Sequence, residues 1–420
     1  MKTTKLFFMA ALALMTAACS NDDNDFAQQP ANGEITITAT LDSNDGATTR
    51  ALVPDGDNIN STWATTDEFA ILFNDGTSNV KRTATVQSIN GSNVTITFTI
   101  PQSLANNTAC TIVYPASAAN AANTGADVAK ALATQYGTID NCPEVRVGTA
   151  TIDKSTHSLS DVTKLTAQNA IFKFTLQDLS AAAKSATEFK VSDNSGNVMT
   201  TVTPGSASGE LYVALPVMAA GTYWFNATID SKSYIAKATT AAATVAGMYY
   251  QTTVKMATIG DVILSDGKFA ARSSNTGTKV AMIAYLGSET GVAGYTHGLA
   301  LALTDKGKMS WTTATGASGA AAHTPAAPTT TSSWQLPSKD QWNKMIDACK
   351  NVLGTNNNYQ DLRDGFSGIS GASNLQSSNP YWSSTEYDSS NAWYYFFSSG
   401  DWNYDEKSID AMRVRACLAF

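Results

Sequence analysis

Histidine is almost missing from this 420-residue chain, which has only His157, His297 and His323. Five cysteines are too few for a disulfide-built scaffold, and no two stand in a C-x-x-C pair. No H-E-x-x-H, G-x-S-x-G, P-loop or strand-following G-x-G-x-x-G occurs. Zinc chemistry, a serine-elbow nucleophile and nucleotide binding therefore lack their residues. Charge is also scarce, at 15% Asp, Glu, Lys and Arg, against ~25% in an ordinary soluble domain. The net charge is -8 and no basic run is present. A nucleic-acid partner needs a basic face to displace phosphate counterions, so none is expected. No enzyme activity, metal or cofactor is expected either.

What is present is apolar residue in quantity. At 43% hydrophobic content the chain can bury real cores, and 420 residues suggest two or three of them. Lys2 and Lys5 precede an apolar stretch over 6–15, which is too short for a permanent membrane span. Thr16-Ala17-Ala18-Cys19 follows, and small residues before a cysteine resemble a bacterial lipobox. That resemblance implies a signal peptide over 1–18, cleavage after Ala18, and lipidation at Cys19 with anchoring to outer-membrane lipid through thioether-linked and amide-linked acyl chains such as palmitate. An ordinary secretory signal cut near the same place is the plainer alternative. Removing 1–18 takes two lysines and leaves 25 basic against 35 acidic residues.

Residues 19–33 form an acidic tether. Its Asp22, Asp23 and Asp25 resemble the surface-export signal of some Gram-negative lipoproteins, and they equally suit a solvated linker. Residues 34–41 then alternate apolar and polar with period two, the mark of a half-buried strand. A turn-rich break leads to Thr48-Thr49-Arg50-Ala51-Leu52-Val53, and Trp63 and the alternating run 69–73 follow.

This succession resembles the fimbrillin family, whose subunits build protease-assembled pili. The resemblance implies proteolytic processing between Arg50 and Ala51, loss of the strand at 35–41, and its replacement by a strand from another pilus subunit. An uncut loop behind a plain first strand is the alternative. Cutting after Arg50 would leave 24 basic against 29 acidic residues.

Further alternating runs lie at 84–89, 94–100 and 110–114, with Asn90-Gly91 as a hairpin signal. Residues 115–133 are Ala- and Asn-rich and read as a long loop with a short helix. Runs at 170–176, 189–192, 209–216, 221–229 and 247–254 continue the pattern. Strands at this spacing with few helices indicate β-sandwiches. Two fimbrillin-like sandwiches are expected, at 34–150 and 151–257. Cys110 and Cys142 are candidates for a bridge in an oxidising compartment, or for two buried thiols.

Composition shifts at Thr258 toward Trp, Tyr and Gly. Ser338 and Gln341 make a capping box, and Trp342, Met345, Ile346 and Cys349 share one helical face that should end by Gly354. Trp334-Gln335-Leu336-Pro337-Ser338, that helix, Tyr381-Trp382-Ser383-Ser384-Thr385-Glu386, Ala392-Trp393-Tyr394 and Val414-Arg415-Ala416 follow in order. This series resembles the C-type-lectin-like fold shared with the formylglycine-generating-enzyme superfamily. It implies an α+β domain over 258–420 but no activity. The superfamily's oxidases hold copper through two cysteines. Here Cys349 and Cys417 read instead as a structural bridge or as buried thiols.

Trp382 and Trp393 read as core. Trp402 and Tyr404, with Asp401 beside them, are candidate contacts for a host or bacterial glycan or protein ligand. A calcium site at Asp401, Asp405 and Glu406 lacks any known loop spacing. The expected whole is a mainly β, lipid-anchored outer-membrane protein at the cell surface or in a fimbrium. It acts as a tip or accessory subunit in adhesion, or alternatively as a monomeric glycan-binding lipoprotein.

Overall fold

The computed structural model describes residues 33–42, 53–56, 58–60 and 63–420. Cys19, Arg50 and Ala51, with the leader and most of the tether, lie outside the described residues. The architecture is mainly β, as the alternation predicts.

The first unit is one eight-stranded sheet. Its strands are β1 (Glu34–Asp42), β2 (Glu68–Asn74), β3 (Asn79–Asn90), β4 (Asn93–Pro101), β5 (Thr108–Tyr114), β6 (Arg146–Asp153) and β7 (Ser158–Ser160). The order is β1-β4-β3-β2-β5-β6-β7, with Thr166–Ala167 also pairing with β6. Period two decides which side chains go inside. Val94, Ile96, Phe98 and Ile100 of β4 face Ile37, Ala39 and Leu41 of β1 across one core. The β3–β4 hairpin turns through Gly91 and Ser92, and Gly91 takes a φ of 61° that suits glycine.

Strand β2 is buried at five consecutive positions. Phe69, Ile71 and Phe73 enter the first core, while Ala70 and Leu72 enter a second cluster on the opposite face. That second cluster includes Leu132 and Val145 and, from the next unit, Ile171, Ala214 and Tyr249. A strand covered on both faces reads as a hydrophobic run, which is what Phe69-Ala70-Ile71-Leu72-Phe73 is.

The same packing displaces the expected boundary at 150. Strand β6 pairs with β5 from Arg146 to Ile152, and β7 and Thr166–Ala167 prolong the first sheet well past that point. Conversely, Thr134–Gln135 leaves the Ala-rich loop and joins the second unit's sheet. The buried Gln135 amide fixes it there, donating to Leu132 O, Thr200 Oγ1 and Ala214 O and accepting from Ala214 N. The loop carries two 3-10 turns, Ala116–Ala118 and Ala121–Asn123, and one short α-helix, α1 (Val128–Leu132), capped by Asp127.

The second unit comprises β8 (Asn169–Asp178), β9 (Glu188–Asp193), β10 (Val198–Val202), β11 (Glu210–Pro216), β12 (Gly221–Ile229), β13 (Lys232–Thr240) and β14 (Tyr249–Thr258). Its order is Thr134–Gln135, β10, β9, β12, β13, β14, β8, β11. Phe172, Phe174, Phe189 and Phe225 lie in its core.

The third unit has two five-stranded sheets. One runs from Phe269–Ala270 through β15 (Val262–Leu264), β16 (Lys279–Leu286) and β17 (Gly298–Ala302) to β22 (Cys417–Ala419). The other runs from Gly307–Lys308 through β21 (Arg413–Val414), β18 (Tyr381–Glu386) and β19 (Asn391–Phe396) to β20 (Asp401–Glu406). Short helices α2 (Trp311–Thr315) and α4 (Tyr359–Asp364) flank the longer α3 (Lys339–Cys349). Ser338 caps α3 with both halves of the predicted capping box, and its Trp342, Met345, Ile346 and Cys349 face is buried.

Helix α3 stops at Cys349, short of Gly354. Gly354 instead makes room for the Asp361 carboxylate, which a Cβ at that position would meet. Asp361 accepts from the backbone N–H groups of Asn351, Asn356 and Asn357, so the whole turn folds around one carboxylate. The arginine of the Val-Arg-Ala motif is fully buried. Arg415 pairs with Asp305 at 2.8 Å and donates to Ala302 O and Ser373 O.

Of the two alternatives for each cysteine pair, the structure has the thiols: among the described residues Cys110, Cys142, Cys349 and Cys417 are free and buried. Cys110 points into the first core, while Cys142 lies in the cluster on the other side of that sheet. Cys349 and Cys417 share a core, but Cys349 Sγ faces Ala284 O and Cys417 Sγ faces Gln341. Burial pushes the Cys110 and Cys417 thiols up to about 12, so they behave as apolar filling.

Candidate functional site: a seam strand and an aromatic face

Strand β1 is laddered to β4 on one side over nine register pairs, from Glu34↔Pro101 to Asp42↔Asn93. On its other side, among the described residues, one backbone bond reaches across, from Thr38 N to His157 O at 3.1 Å. The strand thus closes the seam between β4 and the start of β7. Its outward threonines Thr36, Thr38 and Thr40 are exposed, and Ile37, Ala39 and Leu41 are buried. Each large side chain gains about 1.5–3 kcal/mol from burial. Ordering each residue costs about 1–2 kcal/mol. Burial alone does not cover that cost, so β1 relies also on its nine-pair ladder and on its covalent tether, which raises its effective concentration.

The chain beyond that tether is firmly held. Trp63 donates from Nε1 to Ser92 O at 3.1 Å and packs at 5.0 Å on both Phe69 and Tyr114. Tyr114 in turn donates to Asp67, which also accepts from Ala64 N. These bonds tie Trp63 to β2, β5 and the β3–β4 turn without using a backbone bond to β1. Arg50 sits in the span between these two anchors.

The second feature lies on β19 and β20 of the third unit. Register pairs set Trp393 against Tyr404 and Tyr395 against Trp402. Tyr404 stacks on Tyr387 with centroids 3.7 Å apart and planes 2° from parallel, and Trp393 meets both rings edge-on. Tyr387 and Tyr404 are 45% and 43% exposed, which for tyrosines is a large display. Lys339, at the start of α3, holds its ammonium 3.3 Å from the Trp393 ring centre and 5.1 Å from that of Trp402. Desolvation by these rings lowers the lysine pKa. The result is an exposed aromatic face with one cation set into it.

The structure divides the predicted trio. Tyr404 is on this face. Trp402 is half-buried, its Nε1 donating to Asn343 Oδ1 at 2.9 Å and its ring packed on Tyr395, so only part of it is presented. Asp401 is exposed but alternates to the opposite side of β20. Trp382 is core, fully buried, as expected. Trp393 is not; it belongs to the exposed cluster. Trp393 shares its parity with the buried Tyr395 and Phe397, so alternation along β19 gave no sign of its exposure. Lys339 carried no sequence signal beyond its place at the helix start.

No family model and no curated protein matches the chain. Among solved structures it is similar to a fimbrial protein from Bacteroides ovatus, at 13% identity over 93% of this chain and 100% of that one, with a TM-score of 0.29. It is similar to a fimbrial assembly protein from Parabacteroides distasonis at 10% identity, over 52% of this chain and 90% of the other, with a TM-score of 0.29. A third similar structure is the tip fimbrial protein Mfa3 from Porphyromonas gingivalis, at 11% identity over 49% of this chain and 81% of that one, with a TM-score of 0.21. All three likenesses are distant.

Proposed function

We propose that this protein is a lipid-anchored surface subunit of a fimbria, in a tip or accessory position, and that it enters the fibre by exchange of β1. The observation that carries the reading is β1 itself: one full ladder, one bridging bond, and a tether containing Arg50. A cut there would leave the β4 edge and the Val94, Ile96, Phe98 and Ile100 row open to a replacement strand. The tip or accessory position is favoured by the other end of the fold. Strand β22 is wholly buried in the third unit, so it is not offered to a neighbour. The third unit, read from its motifs as C-type-lectin-like, would then face outward.

The test is N-terminal sequencing of protein released from the cell surface. A start at Ala51 in assembled material, abolished by Arg50→Ala, is the expected result. A start at Cys19 in every fraction would refute exchange by cleavage.

A second reading, a monomeric glycan-binding lipoprotein, is favoured by the exposed Tyr387–Tyr404 stack with Trp393 and Lys339. Aromatic faces beside polar groups suit sugar rings. Glycan-array binding by the uncut full-length protein, lost in Tyr404→Ala, would support it. Lack of binding by a well-folded sample would remove it.

A further inference from the structure

A polar cavity of about 340 Å³ opens in the third unit, away from both features above. Its wall is formed by the segment before β16, the residues just after β17, the turn holding His323, and the loop at Ser370. No aspartate or glutamate lines it. Lys279 does, and its ammonium donates to Arg272 O at 2.8 Å without an ion pair among the described residues. The hydroxyl-bearing residues Ser274, Thr278, Thr304 and Ser370 line it too.

His323 is the telling member. It is 6% exposed, and its Nδ1 has no hydrogen-bond partner. Its ring lies edge-on to Trp334 at 5.0 Å. A buried polar atom left without a partner is rare in a folded protein and calls for a ligand, water or ion.

The surroundings select the sign of that ligand. Asp305 is shared by the guanidiniums of Arg413 and Arg415, at 2.9 and 2.8 Å, and by the Tyr381 hydroxyl. Two cations on one carboxylate leave a surplus positive charge behind the wall. Lys306 adds another next to the histidine, donating to Ala322 O at 2.7 Å. Burial, with Arg415 and Lys306 against Asp305, holds the His323 imidazole near 4, so the ring is neutral at pH 7. A neutral imidazole can place its proton on Nδ1 and donate it to an oxyanion.

We propose that this cavity binds a hydroxylated carboxylate of monosaccharide size, a sugar acid. The Lys279 ammonium and the His323 Nδ1–H meet the carboxylate, and the surrounding hydroxyls meet the sugar hydroxyls. The site is independent of strand exchange and of the aromatic face.

The experiment is calorimetric titration of the full-length protein with sodium glucuronate, with methyl glucoside and sodium sulfate as comparators. Glucuronate should bind saturably in the millimolar range or tighter, and each comparator at least tenfold more weakly. Lys279→Met and His323→Phe should each weaken glucuronate at least tenfold, with thermal melts confirming the fold. If His323→Phe does not fold, Lys279→Met alone decides. The proposal is overturned by absent glucuronate binding, by equal binding of methyl glucoside or sulfate, or by unchanged affinity in a folded Lys279→Met protein.

Discussion

The strands β1 and β22 sit at opposite ends of the described fold and are secured in opposite ways. Strand β1 alternates exposed and buried positions and, among the described residues, is held by one ladder, its buried row and a single backbone bond at the seam. Strand β22 is buried at all three positions. Leu299 and Leu301 pair with it on one side, and Gln335 exchanges both backbone bonds with Cys417 on the other. Phe420, just beyond, exchanges further bonds with Gly298 and packs on Phe269. On the proposed reading, β1 would leave behind it a groove that another strand fills. Strand β22 cannot leave without opening the core of its unit.

The largest effect should come from attacking the wrong strand. Deleting residues 417–420, or placing Asp at Leu418, should abolish cooperative melting of the third unit. Deleting residues 19–50 should leave that melt in place and open only the first sheet, seen as binding of a peptide copying residues 34–42. If both deletions unfold the third unit alike, the contrast between the strands is wrong.

Next in size is a conditional effect. Leu41→Ala removes a fully buried side chain and should cost about 2–5 kcal/mol in the uncut chain. After removal of β1 and filling of the groove by the wild-type peptide, the same substitution should cost nothing. Trp382→Ala, also fully buried, should cost about 3–5 kcal/mol in either form. Calorimetry on the cut and uncut proteins separates the two behaviours.

Much of this was legible in the residues, and the parts that were not share a cause. Strand β1 was readable because one face is solvent and one is core, so period two shows. The α3 cap was readable because Ser338 and Gln341 act locally. The boundary at 150 was not, because Leu132, Val145 and Ala70 are buried between units, where alternation no longer distinguishes inside from outside. The choice between bridge and buried thiol was not, because thiol distance depends on which face of a sheet each cysteine takes. The exposed role of Trp393 was not, because an aromatic at a strand position looks alike in core and on surface. What reveals it is its pairing with Tyr404 and the lysine set over it.

A smaller contrast appears on acidification, and it falls on the third unit and its junction with the second. His297 stacks on Trp224 at 3.8 Å, and burial, aided by Lys237, lowers its pKa to about 4. His323 is lowered to about 4 as well. A histidine lowered from 6.5 in the unfolded chain favours folding fully above pH 6.5, and that stability is lost as pH falls toward 4. Asp261 works the other way. Burial raises its carboxyl from 3.8 to about 6, so protonation favours the folded form and stability is lost as pH rises through 6. His297→Gln should therefore flatten the fall in melting temperature between pH 6.5 and 4, and Asp261→Asn should steepen it. Equal slopes in all three proteins would show that these groups do not govern the junction.

The smallest expected effect on stability concerns the aromatic face, and its smallness is the point. Tyr387 and Tyr404 are each nearly half exposed, so neither supports the core as Trp382 does. Their parallel contact should show in a double-mutant cycle as a coupling of about 0.5–1.5 kcal/mol. Tyr404→Ala should lower stability by no more than that, against several times as much for Trp382→Ala. A surface that keeps two stacked phenols and a tryptophan out of the core gains little stability from them. If Tyr404→Ala proves as damaging as Trp382→Ala, the face is structural and the glycan-binding reading loses its support. If it melts like the parent and loses a ligand, the rings are there for what they touch outside the chain.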